Sequence, residues 1–425
     1  MSDVSDPSAS ERLRQTVRLL RSEGASGVGD RLRRRAAEAL SPASGARLAV
    51  RREDLLRAAE IAEGGWLLPD PAPHRPGEPL TIAWVTVPPS PASGGHTTLL
   101  RIVAELERAG HHCVLYLDDR HGWSIEQHRR TVRSCWPEIG AEVRDLAAGI
   151  KDSHVVMATS WGTAYPILAS RASGVRCYFV SDFEPAFYAA GSEAMLAEAT
   201  YRFGFHGVTS GRWLAELLRR DHGMTAEHFD FACDLEHYVL HPHSDAAEAR
   251  TGVCYYCRPS TPRRAHELAV AALDLFATRH PEVDVHLFGE PSGRLGFRAT
   301  HHGFLDPAGL ARLYNRCVAG LVLSATNVSL VPHEMLGCGC IPLVNDAEHN
   351  RVVLDNPHVA YAPATPFELA AALDALVRRP ATERDAGAAA AAASVSTTTW
   401  AQAGAEVERI LRDVVAARGA RAVPA

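Results

Sequence analysis

From Leu80 onward, short continuous apolar runs alternate with longer stretches whose apolar positions recur at helical spacing. Leu80–Val87 (LTIAWVTV) has the run of a strand buried on both faces. A glycine turn, Ser93-Gly94-Gly95-His96, follows, and Thr97–Ala109 then predicts a helix with Leu100, Val103 and Leu106 on one side. Cys113–Leu117, His154–Ala158 and Val175–Val180 predict further strands, and Ser192–Tyr201 and Gly211–Asp221 further helices. The series restarts with a strand at Gly252–Cys257 and a helix over Arg263–Thr278. Strands at Val283–Phe288, Gly320–Leu323 and Ile341–Val344 and helices at Asp306–Cys317, Val331–Cys338 and Pro366–Arg378 complete it. Alternation of this kind predicts an α/β chain with two doubly wound, Rossmann-like domains facing a central cleft, at about residues 79–240 and 250–380.

The ends depart from this pattern. Residues 1–78 read as a helical N-terminal extension and linker, set apart from the rest. Ser10–Leu40 has a basic helical pattern, Arg52–Glu63 predicts a second helix, and residues 69–77 are linker-like in composition, rich in proline. The basic helix reads most simply as a solvated face packed on the body; peripheral contact with a membrane surface is the sharper reading. Residues 386–394 are almost pure alanine and favour helix. A last helix, Thr397–Val415, has no strand after it to cover its apolar face, so it is expected to cross back onto the first domain. The junction near residues 235–250 is expected to hinge, with few contacts spanning an empty cleft.

Composition narrows the function. A chain of 425 residues, 46% hydrophobic and 22% charged, can bury two cores. Its net charge of -6 gives no general attraction to nucleic acid. The polar, acidic start lacks the features of a signal peptide, and no apolar run approaches the roughly 20 residues that span a bilayer. Nine scattered cysteines do not suggest a disulfide framework, so a cytoplasmic location is expected.

Several residue clusters carry candidate chemistry. Arg258 follows the strand Gly252–Cys257 directly, and Arg263 and Arg264 open the predicted helix, where guanidinium groups can clamp phosphate oxygens. An arginine pair at a helix start opposes the helix dipole, a conflict that a bound anion removes; a surface salt-bridge cluster is the plainer reading. Ser324–Pro332 leaves a strand and enters a helix, placing the N–H groups of Ser329, Leu330 and Val331 at a helix start suited to an anion. Glu334, one turn inside, can accept from sugar hydroxyls or simply compensate the dipole. Gly94 and Gly95 permit close backbone approach to a ligand. Neither a dinucleotide fingerprint nor a P-loop occurs. Cys254, Cys257, Cys338 and Cys340 could supply four zinc thiolates, but strand alternation points Cys254 and Cys257 to opposite faces, so no metal is expected.

Three motifs carry a resemblance over about residues 79–415. The segment Arg258-Pro-Ser-Thr-Pro-Arg-Arg264, the run Thr326-Asn-Val-Ser-Leu-Val-Pro-His-Glu334 and Gly303-Phe304-Leu305 together resemble the retaining GT-B glycosyltransferases of family four, in particular the bacterial rhamnosyltransferase branch. The resemblance implies a diphosphate clamp at Arg258, Arg263 and Arg264, a ribose contact at Glu334 and a base-holding segment at Gly303, Phe304 and Leu305. The family's first glutamate falls on Thr326, so the usual carboxylate on the donor sugar is missing. Thr326-Asn327 in its place is similar to the rhamnosyltransferase branch and implies a deoxythymidine-diphosphate donor of L-rhamnose or another 6-deoxyhexose. UDP- or GDP-hexose transfer, epimerisation and silent nucleotide-sugar binding are the alternatives. Tyr178–Pro185 and Gly94-Gly95-His96 are similar to cleft-lining loops, which makes Asp182, Glu184 and His96 candidates to orient or deprotonate an acceptor hydroxyl. The expected partners are a nucleotide-sugar donor and a glycan or natural-product acceptor, with a homodimer as a further candidate. No cofactor is implied beyond the donor.

Overall fold

The computed structural model describes residues 50–422 apart from 66–67, 71, 91–92, 120–121, 242–249 and 398. The basic pattern of Ser10–Leu40, and with it the proposed membrane contact, lies outside the described residues.

Two wholly parallel sheets form the body. Strands β1 (Thr81–Thr86), β2 (His112–Leu117), β3 (Glu142–Asp145), β4 (Val155–Ala158), β5 (Val175–Val180), β6 (His206–Ser210) and β7 (Ala226–Phe229) build the first, in the order β3-β2-β1-β4-β5-β6-β7. Strands β8 (Gly252–Cys257), β9 (Val285–Gly289), β10 (Thr300–His301), β11 (Cys317–Leu321), β12 (Ile341–Asn345) and β13 (Ala360–Ala362) build the second, in the order β10-β9-β8-β11-β12-β13. Both orders reverse beside their first strand, between β1 and β4 and between β8 and β11. Doubly wound sheets open a crevice there, at their carboxyl ends.

Alternation along each strand feeds two cores. Ile82 and Trp84 of β1 pack on one face, Ala83 and Val85 on the other. In β8, Cys254 joins one core while Val253, Tyr255 and Cys257 join the opposite one. The sheet therefore separates Cys254 from Cys257, and all nine cysteines are free thiols.

Four features differ from the sequence reading. First, the described part of the N-terminal segment, from Val50, is not set apart. Helix Arg52–Glu63 lies against helix Trp161–Ala169, and Val50, Leu55, Ala58 and Ile61 enter the core that holds Tyr165 and Leu168. Second, Gly94, Gly95 and His96 form the first turn of helix Gly94–Arg108, capped by the Ser93 hydroxyl accepting from His96 N–H at 3.3 Å. Third, Arg263 and Arg264 sit in a 3-10 turn, Pro262–Arg264; Ala265, at φ 47°, separates this turn from helix His266–Arg279. A non-glycine residue in the left-handed region costs about 1–2 kcal/mol, and the kink lets both guanidinium groups address the cleft instead of continuing up the helix. Fourth, the domains touch extensively, as described below.

Helix Trp161–Ala169 escapes sequence detection because Gly162 and Pro166 interrupt its pattern. It forms anyway because Trp161, Ala164, Tyr165, Ile167 and Leu168 are all buried. At the other end of the chain, helix Trp400–Ala422 packs on helix Gly94–Arg108, sending Trp400, Val407, Ile410 and Leu411 into the first domain's core. Gly404 permits this approach; a Cβ at that position would overlap Glu105.

The interdomain cleft as candidate functional site

The carboxyl ends of both sheets face a cleft with two lobes. The larger, about 550 Å³, is lined by Gly94, Gly95, His96, Asp118 and Asp182 on one side and Arg258, Arg263, Arg264 and Ser329 on the other. The smaller, about 260 Å³, is lined by Arg101, Phe304, Leu305, Val331, Glu334 and Trp400, among others. Gly94, Arg258, Ser329 and Leu330 border both, so the lobes meet beside them.

All three predicted arginines reach the larger lobe, each already engaged. Arg258 Nε lies 3.1 Å from Glu290 Oε1, and Arg258 Nη1 donates to the Tyr256 hydroxyl at 3.3 Å. Arg263 Nε donates to Asp182 Oδ2 across the cleft at 3.1 Å, while its guanidinium lies 3.9 Å from the centre of the Phe187 ring. Arg264 is 8% exposed and donates to the Asn327 carbonyl at 3.5 Å; burial holds its pKa below the usual arginine value. A cation this buried stabilises little by itself and is suited to a polyanion brought into contact with it.

The three candidate acceptor bases have other work. Asp182 Oδ1 accepts from Phe183 N–H at 2.9 Å and from Asn327 N–H at 2.9 Å, and Oδ2 holds Arg263. Asp182 thus ties the two domains together. Glu184 is 6% exposed; its carboxylate accepts from Trp161 N–H at 2.7 Å, at the start of helix Trp161–Ala169, and from the Tyr178 hydroxyl at 3.3 Å. Burial pushes its pKa up to about 8, so at neutral pH it holds its proton. His96 accepts from Ser90 N–H through Nδ1 at 3.1 Å, and burial lowers its pKa to about 4. It is therefore a neutral ring whose Nε2 carries the proton. All three are thus held by partners within the protein.

Thr326 and Asn327 lie elsewhere than a donor-sugar contact requires. Thr326 is 2% exposed and Asn327 fully buried. The Asn327 amide donates to the carbonyls of Ser181 at 3.1 Å and Ser210 at 2.9 Å, both in the first domain. Between the domains, its side chain satisfies two carbonyls at the ends of β5 and β6. These bonds, with the pairing of Asp182 and Arg263, cross the cleft that sequence reasoning expected to find sparsely bridged. From the same loop, Val328, Ser329 and Leu330 are the residues that reach the larger lobe.

In the smaller lobe, Glu334 lies on helix Val331–Gly337. Burial of its carboxyl pushes the pKa up to about 7, against the opposing pull of the Arg101 guanidinium and the Tyr238 hydroxyl. Phe304, 62% exposed, presents a ring at the rim beside Leu305. Gly303 lines neither lobe; its carbonyl accepts from Gly289 N–H at 2.8 Å and seats the two residues that follow.

Some lining residues gave no signal in the sequence. Arg101 pairs with Asp234 at 2.6 Å and lies 5.3 Å from the Trp400 ring centre, closing the smaller lobe from the first domain. Tyr188 accepts from the Trp161 indole N–H at 2.9 Å in the wall of the larger lobe. Asp118 follows β2 directly and accepts from Arg51 at 2.7 Å. Its place after a strand of a doubly wound sheet was the one available clue; the others depend on contacts between distant parts of the chain.

Comparison with solved structures decides the architecture. The chain superposes on Anabaena Alr3699/HepE, solved in complex with UDP-glucose, with a TM-score of 0.60 at 13% identity, over 79% of this chain and 100% of that one. TarM gives 0.64 at 7% identity, over 80% and 100%, and WaaG, a glycosyltransferase involved in lipopolysaccharide biosynthesis, gives 0.57 at 13%, over 78% and 99%. The fold is GT-B. Within this GT-B chain, residues 251–374, most of the second domain, match the model for the WsaF C-terminal domain. The O-antigen biosynthesis protein RfbC of Myxococcus xanthus is 36% identical over 207 residues, 47% of this chain. The aligned region spans 16% of that relative's length.

Proposed function

We propose that the chain is a retaining glycosyltransferase that moves a sugar from a nucleoside-diphosphate donor to a hydroxyl of a glycan or natural-product acceptor. The observation that carries this reading is the meeting of the two lobes beside Arg258, with Arg263 and Arg264 in the larger one. A nucleoside fits the smaller lobe, its base beside Phe304 and Leu305 and its ribose at Glu334. The diphosphate then reaches the arginines and the first turn at Gly94-Gly95, where backbone N–H groups and the helix dipole favour an anion. The solved structure of HepE with UDP-glucose and the glycan-related name of RfbC favour the same classes of donor and acceptor.

Retention is favoured by the hydrogen bonds that already occupy His96, Asp182 and Glu184, the residues that would otherwise serve as the base of an inverting transfer. An acceptor oxygen attacks the anomeric carbon from the side on which the diphosphate departs. The carbon–oxygen bond to phosphate breaks, the new glycosidic bond forms, and the hydroxyl proton passes to the departing phosphate oxygen. Arginines stabilise the charge that develops there. For the sugar we favour a 6-deoxyhexose, L-rhamnose first, on a deoxythymidine diphosphate. Val328 and Leu330, from the loop that carries Thr326, line the larger lobe with apolar surface, which suits a methyl group at C6. The free thiols favour a reducing, cytoplasmic setting.

A panel of deoxythymidine-, uridine- and guanosine-diphosphate sugars tests this, reading diphosphate release and the anomeric configuration of the product by NMR. Turnover of deoxythymidine-diphosphate rhamnose with retained configuration is expected. Turnover of UDP-glucose with none of any deoxythymidine-diphosphate sugar overturns the donor assignment. Interconversion of sugars without diphosphate release marks an epimerase.

A further inference from the structure

Arg258, Arg263 and Arg264 line the larger lobe from one short segment, and that segment is held from outside at both ends. It starts with a turn, Arg258–Thr261, closed by Thr261 N–H donating to the Arg258 carbonyl at 3.0 Å. Arg264 N–H donates to the Thr261 carbonyl at 2.9 Å, so this turn runs directly into the one that carries Arg263 and Arg264. At the far end the Arg263 carbonyl accepts from Ala325 N–H at 2.8 Å. At the near end the anchor is Glu290. Its carboxylate accepts from Ser260 N–H at 2.9 Å and from the Ser260 hydroxyl at 2.6 Å, and it lies 3.1 Å from Arg258 Nε. Glu290 directly follows β9, and its own N–H donates to the Cys257 carbonyl at 2.9 Å. Gly289 makes that approach possible: it sits at φ 106°, and a Cβ there would overlap the same carbonyl. Glu290 lines neither lobe, and its side chain is 18% exposed.

We propose that Glu290 is a positioning residue for the diphosphate clamp: by gripping Ser260 it seats the turn from which the arginines address the donor, without touching the donor itself. This rests on the glycosyltransferase reading. Glu290 has two opposing effects, and the geometry separates them. Its charge competes with a diphosphate for Arg258, as any carboxylate beside a guanidinium does. Its bonds to Ser260 remain when the diphosphate takes over that guanidinium, and they keep the backbone of the turn in place. A clamp is sensitive to its supports, since a displacement of about 1 Å is costly even when every contacting residue is intact. Arginine is long and rich in rotamers, so a loosened backbone adds to the entropy lost when its contacts form.

The experiment measures, by calorimetry on the full chain, the affinity for deoxythymidine, uridine or guanosine diphosphate, whichever binds the parent protein most tightly. Glu290→Ala is expected to weaken binding at least about fivefold, the size of one lost hydrogen bond expressed as an affinity. Glu290→Gln should stay within about twofold of the parent, because its amide keeps an oxygen for Ser260 N–H and offers an N–H to the Ser260 hydroxyl. Ser260→Ala, which removes only the hydroxyl, should weaken binding about threefold. Both Glu290 variants remove the negative charge beside Arg258, so a purely electrostatic role tightens binding in both, and that result overturns the proposal. Parental affinity in Glu290→Ala overturns it too, as does an equal loss in Glu290→Ala and Glu290→Gln, which marks a general disturbance of the fold. Should Glu290→Ala fail to fold, Ser260→Ala decides, and unchanged binding there is the overturning result. Failure of the parent protein to bind any nucleoside diphosphate is a different failure and strikes the glycosyltransferase reading itself.

Discussion

The two walls of the cleft face each other with opposite charge, and they hold that charge in different ways. On the second-domain wall the cations are already paired, Arg258 with Glu290 and Arg263 with Asp182. A diphosphate arriving there exchanges one anion for another, so its net gain is the difference between two charge-assisted contacts. On the first-domain wall the acidic groups are spent on structure: Asp182 binds the facing domain and Glu184 caps a helix while keeping its proton. One wall carries cations suited to a diphosphate; the other, through Asp182, also holds the walls together.

The strongest way to break this contrast is Asn327→Ala. Two hydrogen bonds to the first domain disappear and the carbonyls of Ser181 and Ser210 lose a donor, a cost of about 2–4 kcal/mol. Chemical denaturation should show that loss. Arg258→Ala comes next: donor affinity by calorimetry should fall at least about tenfold, equivalent to about 1.5–3 kcal/mol. Unchanged affinity in a folded variant would remove Arg258 from the clamp.

The Glu184 proton gives a pH test. In the unfolded chain its carboxyl titrates near 4.5, and in the folded protein near 8. Between these values the folded state holds a proton that the unfolded state has lost, so stability falls as pH rises through the window. Glu184→Gln cannot ionise. It should match the parent near pH 4.5 and exceed it at pH 8 by on the order of 1–2 kcal/mol, measured as denaturation midpoints across that range. The smallest effect is expected at the exposed interdomain pair Arg220–Glu348, 3.7 Å apart with side chains 58% and 63% exposed. Arg220→Ala should change stability by less than about 0.5 kcal/mol. A larger loss would mean that surface charge, as well as the buried bonds of Asn327, joins the domains.

The same contrast explains what could be read in advance. The second-domain wall was legible because its residues follow their strands closely: Gly252–Cys257 is a continuous apolar run, and Arg258 comes next. Glu334 likewise sits one turn inside a recognisable helix, whereas Phe304 and Leu305 were marked by the family resemblance. On the first-domain wall Gly94, Gly95, His96, Asp182 and Glu184 were named in advance and line the larger lobe, but their partners were silent. Strands His206–Ser210 and Ala226–Phe229 are short and mixed in polarity, and they exist as strands because β5 pairs with the former and the former with the latter. The work of Asn327 is set by carbonyls in the other domain, and that of Asp118 by an arginine that precedes the sheet. Local periodicity records none of these. It also misplaced the arginine pair, because a backbone kink at Ala265 lies outside any hydrophobic pattern.

The route of the chain has one more consequence. It passes from the first domain to the second after β7, and returns between helices Ala381–Ser394 and Trp400–Ala422. Helix Trp400–Ala422 is seated close against Glu105 by Gly404, which anchors the return on the first domain. Two crossings leave fewer ways for the walls to part than one, and Asp182, Arg263 and Asn327 act as a latch that any such parting must first release.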